Sequence, residues 1–160
     1  MKKFFIFLIG IYIGFIIFMP KENLFFTLQN YLKNQNIYIN TKTTSNPFSL
    51  SLKNFTIFIN GIDIARGEKI SIFPFIFYNK IEAKNIKVNV QNIKINNLFA
   101  TYSIINPIKI IISGNSNFGK IDGNIDVIKK TIKIYVKNPS EEIKEFLRKD
   151  NKGYFIYEKF

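Results

Sequence analysis

The stretch PFSLSLKNFTIFINGIDI, from Pro47 to Ile64, decides the fold class. Phe48, Leu50 and Leu52 alternate with Ser49, Ser51 and Lys53, the period of two that puts apolar side chains on one face of a strand. The phase slips at Lys53-Asn54 and resumes as Phe55, Ile57 and Ile59, as a β-bulge or a short turn would make it. Asn60-Gly61 is a hairpin turn signal, because both residue types tolerate positive φ, and Ile62 and Ile64 begin the return.

Downstream, the same period continues. It runs through Ile70 and Ile72, Ile81 and Ala83, Ile86, Val88 and Val90, Ile93 and Ile95, Ile108 to Ile112, Ile125 and Val127, then Ile132, Ile134 and Val136. Turn signals separate these runs at Arg66-Gly67, Tyr78-Asn79-Lys80, Asn106-Pro107, Gly114-Asn115, Asp122-Gly123-Asn124 and Lys129-Lys130. No helix-length crossover lies between them, so the chain is predicted to be mainly β, an antiparallel meander of short strands. Pro139-Ser140-Glu141-Glu142 opens a short helix bearing Ile143, Phe146 and Leu147 and ending at Arg148-Lys149. Gly153 to Phe160 reads as a last strand or a docked terminal segment.

Upstream, the period is helical. Pro20 suits a first helical position, and Leu24, Phe25, Leu28, Tyr31 and Leu32 form one apolar stripe that ends near Asn34. Before it, Phe4 to Met19 holds only apolar residues, two glycines and Tyr12. Those residues rise about 24 Å as a helix, somewhat less than a bilayer core of about 30 Å. The exit at Phe18-Met19-Pro20 is bulky and lacks the small-residue pattern of a signal-peptide cleavage site, so an uncleaved transmembrane anchor is expected. Lys2 and Lys3 then stay cytoplasmic by the positive-inside rule, placing the rest in the periplasm of a bacterium. Gly10 and Gly14 make a weak G-x-x-x-G signal for helix association in lipid. The expected organisation is an anchor over 1–20, a juxtamembrane amphipathic helix over 21–36 and a β-rich periplasmic domain over 37–160.

Composition removes most chemistry. The 160 residues contain no His and no Cys, which excludes disulfides, Cys-based metal sites and Ser-His-Asp or Cys-His catalysis. Gly114 to Phe118 lacks the closing glycine of a nucleophile elbow, and Asp122 with Asp126 lacks the oxygen density of a calcium loop. No catalytic, cofactor-binding or metal-ligating residue is assigned, and no enzyme activity is expected. Net charge is +12, but the basic residues are almost all Lys, with Arg only at 66 and 148. Ile, Lys and Asn saturate the chain as an AT-rich coding sequence would produce, so nucleic acid ranks last among partners.

Several segments together resemble a known family. They are Pro20-Lys21-Glu22-Asn23-Leu24, Pro47 to Ile57 with Gly61-Ile62, Lys69 to Pro74, Ile81 to Val88, Gly119 to Ile125, and the helix before Gly153-Tyr154-Phe155. Their rhythm of strand, turn, strand, proline, strand is similar to type II secretion protein N and the related AsmA-like periplasmic proteins. The resemblance implies an inner-membrane-anchored accessory of a type II secretion-like or DNA-uptake apparatus. Its partners would be secretion or transformation machinery proteins and membrane lipids. As the alternative, the AsmA-like side of the resemblance allows lipid binding or transport, with phospholipid held on an apolar sheet face.

Overall fold

Alternation along the chain becomes a single sheet in the computed structural model, which describes residues 2–89 and 93–160, with the side chain of Glu142 left aside. Val90 and the side chain of Glu142, both invoked above, lie outside the described residues. Two helices, α1 (Lys2–Phe18) and α2 (Lys21–Lys33), lead into β1 (Ile37–Asn46), β2 (Ser49–Ile59), β3 (Ile62–Pro74) and β4 (Tyr78–Val88). Then come β5 (Ile93–Ser103), β6 (Asn106–Ser116), β7 (Gly119–Asp126) and β8 (Thr131–Lys137). A single turn of helix, α3 (Glu141–Lys144), precedes β9 (Arg148–Asp150) and β10 (Gly153–Lys159). The strands run in the order β1 to β8, then β10 and β9, every neighbouring pair antiparallel. The sheet is an open meander with β1 and β9 at its edges.

The local signals at the centre of this pattern behave as their chemistry requires. Asn60 and Gly61 have φ of 51° and 79°, both positive, as a two-residue turn matching the strand twist needs. The slip at Lys53-Asn54 is a bulge, with Asn54 at φ 50° inside β2. It continues across the sheet. Pairing of Lys53 with Lys69, of Lys69 with Lys84 and of Lys84 with Asn97 aligns Asn54, Glu68, Asn85 and Asn96 in one transverse line. Each of β2 to β5 therefore carries one extra residue at the same level, and apolar spacing changes from two to three in all four. Leu52 and Phe55, Gly67 and Ile70, Ala83 and Ile86, and Ile95 and Leu98 thus stay on one face. Register shifts at Asn40/Lys42 and Ile95/Asn97 close the defect on either side.

Five expected turns lie inside strands instead: Tyr78-Asn79-Lys80 opens β4 and Asn106-Pro107 opens β6, while three glycine-bearing signals fall within β3, β6 and β7. Gly67 sits within β3 because the Phe55 ring lies over it: a Cβ there would meet the ring atoms Cζ and, at 2.5 Å, Cε1. Gly114 sits within β6, where a Cβ would come 2.5 Å from the Asn97 carbonyl oxygen. Gly123 sits within β7, where a Cβ would come 2.8 Å from Ile134 Cα. These glycines serve close approach, not reversal, so the strands are longer and fewer than expected. The β5–β6 reversal falls at Ile104-Ile105, and Asn106-Pro107 already belongs to β6.

The ends also differ from expectation. Pro20 is the N-cap of α2, not its first helical residue. The C-terminal helix stops at Lys144: the Phe146 and Leu147 N–H groups donate to the Ile143 and Lys144 carbonyls in tight turns that bury Leu147. Arg148-Lys149 then extends as β9, because β10 offers it a backbone partner.

The densest packing lies under α2, where Phe25 meets Leu50 and Leu52 and is flanked by Ile39, Ile70 and Ile72. Burying each of these large side chains contributes about 1.5–3 kcal/mol. The apolar stripe of α2 is only partly used. Phe25 is buried, whereas Leu24, Leu28 and Tyr31 remain exposed.

Candidate functional site

Registers that keep paired residues on one face generate two continuous apolar rows. One runs through Leu50, Ile72, Ile81, Ala100, Ile112, Gly123, Ile134 and Ile156. The other runs through Leu52, Ile70, Ala83, Leu98, Gly114, Ile121, Val136 and Tyr154. Each crosses eight strands without a charged residue. Small residues recur in both rows, and the crowding at Gly114 and Gly123 shows neighbouring backbones converging on this side. On this same face Ile112, Ile121 and Val136 are buried.

Helices flank this trough without roofing it. Extensive helical packing on the sheet comes from α2, over β1 and to a smaller extent β2. At the far side α3 approaches Tyr154, whose ring lies 5.9 Å from the Lys144 ammonium. Between them Ile81 remains 43% exposed. Beside α2 a cleft of about 150 Å³ opens among Leu24, Phe25, Leu28, Leu50, Ile72 and Pro74. Its walls are almost entirely carbon, and it adjoins the corner where α1 meets α2.

The opposite face mixes paired charges with scattered apolar residues such as Phe99 and Ile111. Glu82 takes Lys80 at 3.5 Å and Lys84 at 3.2 Å, and Asp122 takes Lys137 at 2.7 Å. Asp126 accepts the Lys129 N–H, so the two aspartates considered for a calcium loop serve separate structural partners. Among the described residues no group of three or more acidic side chains is placed to hold a metal. At the C-terminal edge, Lys133 and the Tyr135 hydroxyl both donate to Asp150. Desolvation pushes the Asp150 carboxyl up, but the Lys152 N–H, Lys133 and Tyr135 outweigh it and hold the group below its ordinary value. Lys133 also lies 4.4 Å from the Phe155 ring centroid, a cation–π contact on the same edge.

The residues expected to form the anchor are spread along α1. Lys2 and Lys3 stand exposed in its first turn. Nothing lies within 4 Å of a Cβ built at Gly10 or Gly14, so neither glycine is required for contacts within the chain. Gly14 lines an open groove of about 550 Å³ with Ile11, Phe15, Phe18, Met19 and Pro20. No single described helix is long and apolar enough to cross a membrane; α1 and α2 pass that test only as a pair bent by 56°. Sequence reasoning missed what makes the corner. Lys21 is 4% exposed, and its ammonium donates to the Ile16 carbonyl at 2.7 Å and the Met19 carbonyl at 3.4 Å. A cation on the orphan carbonyls of a helix C-terminus satisfies both the hydrogen-bonding and the dipole requirement there. Burial holds the Lys21 ammonium below its ordinary pKa. A Lys three residues after an apolar helix was the available signal.

Comparisons with family models, with curated proteins and with solved structures find no match to this chain.

Proposed function

We propose that this chain is a membrane-anchored lipid-binding protein whose apolar sheet face receives acyl chains. One observation carries the reading: two uncharged rows cross eight strands, while the packing of α2 is concentrated at the β1 to β3 side of the sheet. Apolar faces of sheets are ordinarily buried under a second layer, and a trough lined this way favours a long hydrocarbon ligand. The apolar cleft beside α2 offers a route from α1 into the trough. In this reading α1 sits in a bacterial inner membrane with Lys2 and Lys3 on the cytoplasmic side, and the sheet lies in the periplasm. The AsmA-like side of the family resemblance agrees with it.

The test is photo-cross-linking of the full chain in membranes with a phospholipid bearing a diazirine in its acyl tail. Adducts on peptides containing Ala100, Ile112 or Ile134 are expected. Adducts confined to α1 overturn the reading. Docking onto secretion or DNA-uptake proteins is the second reading, favoured by β1, whose ten residues from Ile37 to Asn46 have a strand partner on one side alone, although Gln29 of α2 already donates to the Ile39 carbonyl at 2.9 Å. Cross-linking from β1 to other inner-membrane proteins, with no lipid adducts on the sheet, would select it.

A further inference from the structure

The two ends of the sheet are chemically different. In a meander, alternate reversals fall at the same end, so the β1–β2, β3–β4, β5–β6 and β7–β8 tips lie together. The end of β10 joins them, since Lys159 pairs with Thr131 at the start of β8. Turns normally carry Gly, Asn, Asp, Ser and Pro. Here the tips instead present Phe48, Ile76, Phe77, Ile105, Ile128 and Phe160, all exposed, with Ile105 at 93% and Ile128 at 72%. At the opposite end the described reversals are Asn60-Gly61, Asn117-Phe118 and Asn151-Lys152; each carries an Asn, Phe118 is half-buried, and Ile62 beside Gly61 is the one strongly exposed isoleucine among them. Exposed isoleucines at two successive reversals gain nothing for folding, because no described element covers them.

The apolar end is also the end from which α1 projects. Tyr12 stacks on Phe77 with ring centroids 5.4 Å apart, so one tip and the middle of α1 share the same level. Most of the apolar side chains of α1 are exposed and continue the surface of the tips. Exposed Lys109 and Lys159 stand on the strands just behind the tips, and exposed Lys129 and Lys130 follow Ile128 within the β7–β8 tip itself. The acids there are Glu158, which is exposed, Asp126, which is buried and bound to the Lys129 N–H, and Glu82, which is paired with two lysines. Apolar side chains projecting beyond a basic layer match the depth profile of an anionic bilayer, hydrocarbon below and phosphate above.

We infer that the tip end of the sheet is a membrane-contact surface: the four hairpin tips and Phe160 dip into the outer layer of an anionic phospholipid bilayer, and the lysines behind and beside them meet the headgroups. The strands then stand on the membrane, and the mouth of the trough opens onto lipid. This inference builds on the membrane reading above but not on acyl binding by the trough.

The absence of Cys makes the test clean, since each introduced Cys is the sole labelling site. The full chain carrying Ile105→Cys, Ile128→Cys, Ile9→Cys, Asn151→Cys or Lys120→Cys is labelled with an environment-sensitive fluorophore. Each protein is reconstituted in phosphatidylcholine–phosphatidylglycerol vesicles containing doxyl-labelled lipid. Severalfold greater quenching at Ile105→Cys and Ile128→Cys than at Asn151→Cys and Lys120→Cys is expected. Quenching at the tips no greater than at Asn151→Cys, with Ile9→Cys quenched, overturns the inference and leaves the anchor standing. Quenching at the tips without quenching at Ile9→Cys supports the inference and overturns the anchor. Disulfide-linked dimers of unlabelled Ile105→Cys, together with unquenched tips, would assign the surface to a second copy and overturn it as well.

Discussion

Gly67→Ala is the most informative single perturbation, because its effect depends on one identifiable neighbour. Gly67 faces Phe55 across β2 and β3, and Phe55 is 1% exposed, among the most buried side chains of the protein. A methyl at 67 would fall 2.5 Å from ring carbon Cε1 and 3.2 Å from Cε2, and would also strike Cζ. The ring is enclosed, so it can yield only by shifting the strand around it, and overpacking of this kind costs about 1–3 kcal/mol. Phe55→Ala alone removes the ring and leaves a cavity, at about 3–5 kcal/mol. Once the ring is gone, the sign of Gly67→Ala reverses. The backbone there is ordinary extended strand, so the methyl fills space and restricts the unfolded chain, contributing about 0.4–1 kcal/mol. The four proteins form a double-mutant cycle with an expected coupling of about 1.4–4 kcal/mol, the overpacking cost plus the gain seen without the ring. Urea unfolding of the full chain in mild detergent, followed by circular dichroism in the β region, reads it through the midpoints at constant slope. Equal costs of Gly67→Ala in the Phe55 and Phe55→Ala backgrounds would refute the close approach as the reason for glycine.

Other expectations follow from the same geometry. Leu52→Ala, in the cluster under α2, should cost about 2–5 kcal/mol, and Ile105→Ala at an exposed tip should lie within about 0.5 kcal/mol of the parent, both read as urea midpoints. Lys21→Met keeps the aliphatic stem but strips two carbonyls at the end of α1 of their cation, a loss of about 1.5–3 kcal/mol. Faster amide exchange over residues 16–21 with unchanged protection in β6 and β7 is the signature to look for. The Asp150 carboxyl titrates below its unfolded value, so its stabilisation of the C-terminal edge is complete above that unfolded value and is lost as pH falls through the folded one. Protection of Gly153 to Phe155 amides, corrected for intrinsic exchange, should therefore drop on acidification towards pH 3, and Asp150→Asn should abolish that pH dependence.

Fold class was legible in the residues because alternation and turn chemistry are local properties. A period of two needs only a solvent on one side and a core on the other, and Asn60-Gly61 reverses the chain by its own φ preferences. The bulge at Asn54 was visible as a phase slip in one strand. That three more strands repeat it at the same level was not, since no single segment records which residues become neighbours. Gly67, Gly114 and Gly123 mark the limit most clearly. In isolation a glycine beside Asn, Asp or Arg signals a turn; only the packed sheet shows that a ring or a neighbouring backbone occupies the space of its Cβ. The C-terminal segment failed for a similar reason, because strand pairing with β10 outweighs the weak helical tendency of a few residues after Lys144.

The candidate surfaces divide along the same line. Residues 4–19 announce an apolar helix on their own, and the one-sided strands announce an apolar face. Whether that face is covered is a question of the third dimension, decided by α2 lying chiefly on the first two strands and by the small residues that let Ile112, Ile121 and Val136 be buried while Ile81 stays open. The alignment of Phe48, Ile105 and Ile128 at one end is likewise a product of topology. Separated by dozens of residues, each reads as an odd apolar residue near a turn. Antiparallel pairing sends every second reversal to the same edge, and that geometric parity gathers them beside α1 into one surface.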